Sequence, residues 1–161
     1  MGSRVQQQTN QRGFTLIELL IVITIIAALA VAVFVALNPI KRLADSRDAR
    51  RVSDVETILT AIHEYIVDNK GTVPGTLSST ESMLGTAGAA CNITQANCVA
   101  ASTACLNLTT PLAKYLKSMP VDPGATYSAG ITGYDAAVDA NGIVTVKGCG
   151  GENNQAISSS R

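Results

Sequence analysis

Gly13-Phe14-Thr15-Leu16-Ile17-Glu18-Leu19-Leu20-Ile21-Val22-Ile23 opens an apolar run that continues through Thr24 and Ile25 to Ala36 and Leu37. Between Phe14 and Leu37 the only ionisable side chain is Glu18. The run is as long as a bilayer-crossing helix needs to be, roughly 20 residues. Much of the hydrophobic content of this 161-residue chain therefore belongs to an anchor, and the rest has room for one ordinary domain. A secretory signal would use Arg4 and Arg12 as its basic start and Ala30-Val31-Ala32 as its cleavage site. Its apolar core, however, would exceed the usual ~7–15 residues. A plain single-span anchor leaves Glu18 unexplained, because an acid in lipid is unfavourable and normally has a partner.

A third reading accounts for both the length and the acid. The segment from Arg12 through Ile23 resembles the class III signal of type IV pilins and type II secretion pseudopilins: a basic residue, Gly13 before a cut, Phe14 after it, and an acid at the fifth position of the mature chain. The resemblance implies a leader, residues 1–13, removed by a prepilin peptidase on the cytoplasmic side, and N-methylation of the new N-terminus at Phe14. It implies that Glu18 neutralises the terminal amine of an adjacent subunit and so sets the docking register. In a low-dielectric bundle such a pair attracts strongly, and an uncompensated partner is costly. Residues 14–37 would be the transmembrane and filament-core helix, in the cytoplasmic membrane with the N-terminus inside, and the filament would be extracytoplasmic. The flanking charges run against this orientation: five basic residues lie within Lys41–Arg51 and two in the leader.

Beyond Pro39 the pattern becomes amphipathic. Ile40, Leu43, Val52, Val55, Ile58, Leu59, Ile62 and Ile66 fall mostly on one helical face, with Arg50–Asp54 and Asp48–Arg51 spaced as in-helix ion pairs. Asn69-Lys70-Gly71 supplies a stop. One long helix over about 14–69 is expected, with a kink at Pro39, which lacks a backbone donor and crowds the carbonyl of Val35. Residues 38–70 form its amphipathic half and 71–150 a small globular domain. Within that domain, Ser78 and Glu81 have capping-box spacing before a short helix at Thr80–Leu84. Thr110-Pro111 opens a second one reaching Leu116. A strand near Ala125–Ala129 would join a hairpin: Gly133–Val138 and Ile143–Lys147 flank Asp139-Ala140-Asn141-Gly142, a strong turn signal. The polar stretch 151–161 reads as a flexible tail. The expected fold class is α+β, a long N-terminal helix with a small C-terminal antiparallel sheet of three strands. It resembles the lollipop-shaped pilin fold, and Leu112-x-x-Tyr115-Leu116 followed by Pro120-x-Asp122-Pro123 is similar to the segment entering the pseudopilin sheet.

Twelve basic and twelve acidic residues balance, and loss of the leader's two arginines leaves the mature chain slightly acidic. Bulk positive charge for nucleic acid is absent, so no such partner is expected. Cys91, Cys98, Cys105 and Cys149 lie beyond the apolar run, and their intervals do not match structural zinc sites, which favours disulfides outside the cytoplasm. Four cysteines allow three connectivities. The resemblance points to Cys105–Cys149, like the C-terminal staple of type IV pilins, with Cys91–Cys98 as the second bridge.

No catalytic constellation is present in the sequence. His63 is a lone histidine, Gly148-Cys149-Gly150-Gly151 lacks a P-loop ending, and no cofactor or metal site is expected. Asp122, Asp135 and Asp139 could offer calcium ligands, as loop acids do in some major pseudopilins, but they suit turns and solvation better. Asn92-Ile93-Thr94 and Asn107-Leu108-Thr109 have the N-glycosylation pattern. The expected function is structural and not enzymatic. The chain would be a pilin or pseudopilin whose partners are the prepilin peptidase, the assembly platform and other copies or related pilins. The alternative is a monomeric membrane-anchored binding module.

Overall fold

The computed structural model describes residues 13–89, 91, 94–95, 97–99, 104–152 and 155–161. The class is α+β: helical through Asp68, then a small antiparallel sheet. The chain divides into two compact units, one through Pro39 and one spanning Ile40–Arg161.

Helix α1 covers Leu16–Leu37 and α2 covers Pro39–Asp68. Between them Asn38 takes the left-handed conformation, φ 40° and ψ 71°. The residue before a proline is disfavoured in the helical region, and asparagine tolerates the left-handed one. Pro39 then starts α2 where its missing N–H costs no helical bond. The interruption is thus a C-cap followed by an N1 proline. At the far end, Lys70 and Gly71 have positive φ (57° and 89°), and the Gly71 N–H donates to the Ile66 carbonyl at 2.8 Å.

The buried stripe of α2 is Ala44, Asp48, Arg51, Val55, Ile58, Leu59, Ala61 and Ile62. Its C-terminal half is the apolar face read from the sequence. Its N-terminal half is not: Ile40, Leu43 and Val52 are exposed, and the inward positions hold an ion pair. The Arg51 guanidinium, 1% exposed, donates to both oxygens of Asp122 at 2.7 and 2.9 Å and to Asp48 at 2.7 Å. Glu152 joins at 3.3 Å from Arg51 and accepts two bonds from Arg47 at 2.6 Å. The stripe therefore continues across a change of chemistry, from a hydrophobic core to a buried charge cluster that fastens the Val121–Pro123 segment to α2. Gly133 allows that segment's close approach: its φ is +82°, and a Cβ there would lie 2.7 Å from Asp122 Cβ.

Four strands form the main sheet in the order β1-β4-β5-β6: β1 Ser82–Met83, β4 Tyr134–Val138, β5 Val144–Gly148 and β6 Ile157–Ser160. All its pairings are antiparallel. A separate ribbon pairs β2 Thr94–Gln95 with β3 Cys98–Val99. One sheet face, carrying Tyr134, Ala136, Val144, Val146 and Ile157, packs with Val55, Ile58, Leu59 and Ile62 of α2 and with Leu84, Leu106, Leu108 and Leu112. Part of the other face lies under a second cluster of Met83, Cys91, Cys98 and Cys149.

The hairpin lies where its turn residues place it. Asp139 Oδ1 accepts from the N–H groups of Asn141 and Ile143 at 2.8 Å each, and Gly142 supplies φ +85°. Four local expectations are corrected. Thr80–Leu84 is not a helix: Ser82–Met83 is edge strand β1, and the Ser78 carbonyl accepts from Val138 N–H at 2.9 Å. Residues 110–116 make successive turns, since Pro111 offers no donor and Met119-Pro120 follows before a helix can propagate. Ala125–Ala129 lies in turns, with Ser128 and Ile131 exchanging backbone bonds at 2.9 and 3.1 Å. The supposed tail supplies a fourth strand, because β5 has an unpaired edge and Ile157 gives β6 a buried anchor. Arg161 extends this pairing with reciprocal bonds to Val144 at 2.9 and 3.0 Å.

Removing Arg51 would leave Asp48 and Asp122 buried and uncompensated. Arg51→Ala is expected to lower the unfolding free energy by about 3–5 kcal/mol. Urea denaturation of the full chain in detergent measures this, and Arg47→Ala, at the exposed end of the network, should have a much smaller effect.

Candidate functional site

The N-terminal segment is organised by a capping box. Thr15 is the N-cap of α1: its hydroxyl oxygen accepts from the Glu18 N–H at 3.2 Å. Glu18 Oε2 in return accepts from the Thr15 N–H at 2.9 Å and the Thr15 hydroxyl at 2.8 Å. Each end satisfies a donor that a helix start otherwise leaves open. Both bonds to the carboxylate run to Oε2, and no described residue donates to Oε1. The Thr15-x-x-Glu18 spacing carries this signal in the sequence.

Around it, nothing on α1 is buried, and Phe14 is 90% exposed. Among the described residues this helix is the one long and apolar enough to cross a membrane, by length and composition. Gly13 has an ordinary φ, and a Cβ there would meet nothing within 4 Å. The leader up to Arg12 lies outside the described residues, as do Asn92 and Ile93 of the first glycosylation triplet. In the second, Asn107 is exposed and its Oδ1 accepts from the Thr109 N–H at 3.0 Å.

The cysteines pair as Cys91–Cys105 and Cys98–Cys149, each with Cα atoms 5.2 Å apart. This replaces the expected Cys105–Cys149 and Cys91–Cys98. A parallel bridge between Leu84 and Leu106 holds the 105 segment beside 84–87, with Cys105 N–H donating to Ala87 O at 3.0 Å. That placement brings Cys105 to Cys91. Cys149 instead meets the β2–β3 ribbon, whose neighbour Asn97 donates to the Gln155 carbonyl at 2.9 Å.

The three aspartates have different surroundings. Asp122 is held by Arg51 and also accepts from the Gly124 N–H at 2.7 Å. The hairpin turn holds the Asp139 carboxyl below its ordinary range, chiefly through the Ile143 N–H. Asp135 is 1% exposed, and among the described residues no donor reaches either of its oxygens. Its carboxyl is pushed up to about 7, first by burial and then by the Glu81 charge, which Lys147 partly offsets, with a side-chain hydrogen bond to Glu81 adding to the rise. Glu81 itself is paired with Lys147 and, despite its own burial, is held low by that bond and by the Val99 N–H. Glu152 is drawn down to about 2, mainly by its bonds to Arg47 and with Arg51 adding to the pull, against an opposing effect of desolvation. An oxygen of Asp135 lies within 4.8 Å of the Cys98 and Cys149 sulfurs, but these are bonded to each other and form no ligand set. His63 sits between the carbonyls of Leu59 and Arg161, at 2.9 and 3.0 Å.

Residues 8–34 match a protein family described as the prokaryotic N-terminal methylation motif. The chain therefore carries the class III signal of type IV pilins and pseudopilins. No curated protein and no solved structure matches it.

Asp135 and Glu152, the two carboxyls shifted furthest, act on stability in opposite directions. Asp135 has a raised folded pKa, so its contribution is present below its ordinary value of about 3.9 and is lost as pH rises to about 7. Glu152 has a depressed one, so its contribution is present above about 4.3 and is lost as pH falls toward about 2. The urea midpoint is expected to peak near pH ~4 and to decline toward neutrality. Asp135→Asn should flatten the neutral limb, raising stability at pH 7 by roughly a few kcal/mol, and leave the acid limb in place.

Proposed function

We propose that this protein is a structural subunit, a pilin or pseudopilin, of a type IV pilus-like filament. The observation that carries the reading is α1: a helix of 22 residues with none buried, opening on a carboxylate and lying in a methylation motif. So large an uncovered apolar surface requires lipid or other copies around it.

A prepilin peptidase would cut between Gly13 and Phe14, and Phe14 would be N-methylated. The fold offers no steric reason for glycine at position 13, which supports a requirement imposed by a processing enzyme. The cut creates an ammonium next to the capping box. Glu18 can retain its cap through Oε2 and offer Oε1 to the amine of a neighbouring subunit, so pairing would not unwind the helix start. The precursor would wait in the cytoplasmic membrane, N-terminus inside, with Ile40–Arg161 on the far side, where the disulfides form. An assembly platform would then transfer α1 from lipid into a bundle with other copies or related pilins.

Intact mass and N-terminal sequencing of the native protein extracted from membranes test the processing. A chain beginning at Phe14, with or without an added methyl, is expected; one beginning at Met1 or Gly2, or cut after Ala32, would overturn the reading. Glu18→Leu should still be cleaved but should lose most of its incorporation into sheared filaments, because the amine is left without its partner.

A further inference from the structure

Asp135 is costly where it stands: protonated it can donate to Glu81, but as a carboxylate it finds no donor among the described residues. A buried carboxylate normally accepts several hydrogen bonds, and this one accepts none. Met83 of β1 and Lys147 of β5 flank it in register. The ionisable groups facing it are Glu81, ahead of β1, and Lys147, which is engaged by Glu81; Asp139 lines the same pocket from the hairpin. On the remaining side, from β3 and the end of β5, stand Cys98 and Cys149, with both sulfurs within 4.8 Å of a carboxylate oxygen. Before the bridge exists these are thiols, the donors the carboxylate otherwise lacks.

We propose that Asp135 is the proton acceptor for closure of the Cys98–Cys149 disulfide. Cys149 is fixed beside it, since its N–H donates to the Gly133 carbonyl at 2.9 Å, whereas Cys98 belongs to the separate β2–β3 ribbon. An external disulfide, from a protein or a small molecule, first exchanges with Cys98: one of its sulfurs joins Cys98 and the other leaves as a thiol. The Asp135 carboxylate then takes the proton from Cys149. The Cys149 thiolate attacks the Cys98 sulfur, the bond to the exchange partner breaks, and the departing thiolate takes up a proton from Asp135 or water. Two protein thiols are oxidised by two electrons and one disulfide is reduced to two thiols.

The carboxyl's raised affinity for protons suits this role. An ordinary aspartate, near 3.9, is a poor base toward a thiol near 8.5. With the bridge closed, burial holds Asp135 at about 7, and the same burial keeps it above the ordinary value while a thiol still donates to it. The other bridge supplies an internal control, because among the described residues no carboxylate is grouped with the Cys91 and Cys105 sulfurs.

The test re-oxidises the reduced full-length chain in detergent with glutathione disulfide, between about pH 5 and about pH 9. Free thiols are trapped by alkylation, and each bridge is followed by peptide mass. In Asp135→Asn, closure of Cys98–Cys149 should slow by about tenfold or more below neutrality, converging with wild type once thiols ionise unaided. Cys91–Cys105 closure should be unchanged. Equal rates and pH profiles for Cys98–Cys149 in the two proteins would overturn the proposal. Should the variant fail to fold, carboxyl NMR of the wild type decides. The Asp135 midpoint should be lower in the reduced protein, where a thiol donates to it, than in the oxidised one. A midpoint indifferent to the state of the bridge would overturn the assignment.

Discussion

An apolar helix with no buried residue sets the terms for the rest of this structure. Every residue of α1 is at least partly open, so its side chains cannot rest in water. Burial of apolar surface contributes about 25 cal/mol per Å² removed from water, and here that gain is available only from lipid or from other molecules. The one polar group at its entrance is treated accordingly. Glu18 is bonded locally to Thr15, so the helix start carries its charge with the Thr15 and Glu18 N–H groups met.

The Ile40–Arg161 unit has the opposite economy, because it closes its core by itself. Its sheet is covered by α2 on one face and partly by the disulfide-bearing segment on the other. Two kinds of fastening hold the irregular parts. Arg51 ties Asp122 and Asp48 together where the α2 stripe leaves the hydrophobic core, and the two disulfides secure a stretch too rich in alanine, serine and threonine to build much core of its own. Breaking a buried ion cluster costs more than the cluster contributes over an apolar substitute. Arg51 is therefore better understood as fixing one arrangement of loops on the helix than as a source of net stability.

What could be read in advance follows from how local each signal is. The span from Phe14 to Leu37, the hairpin at Asp139–Gly142 and the pairs Asp48–Arg51 and Arg50–Asp54 depend on neighbours in sequence, and all appear in the structure. The outcomes that escaped depend on distant chain. Ile40, Leu43 and Val52 continue an apolar period yet remain outside, because Asp122 and Glu152, far along the chain, make Asp48 and Arg51 the inward positions. Ser158, Ser159 and Ser160 have little strand preference alone, and it is the open edge of β5 that recruits them. The disulfide pairing likewise turns on the Leu84–Leu106 bridge, which no spacing of cysteines reveals.

At Asn38 an all-apolar helix gives way to an amphipathic one. In hydrocarbon the backbone must satisfy itself, so a helix can end only where its last carbonyls find water or a cap. At 1.5 Å per residue, 22 residues reach about 33 Å, slightly more than the roughly 30 Å hydrocarbon layer. The left-handed residue therefore falls beyond the length that lipid would cover, and Pro39 restarts the helix without an additional orphan N–H. A continuous helix would link the backbone hydrogen-bond ladders of the two segments. With Asn38 closing one and Pro39 opening the next, each segment keeps its own ladder, and α2 holds the hydrogen bonds on which its core depends whatever surrounds α1.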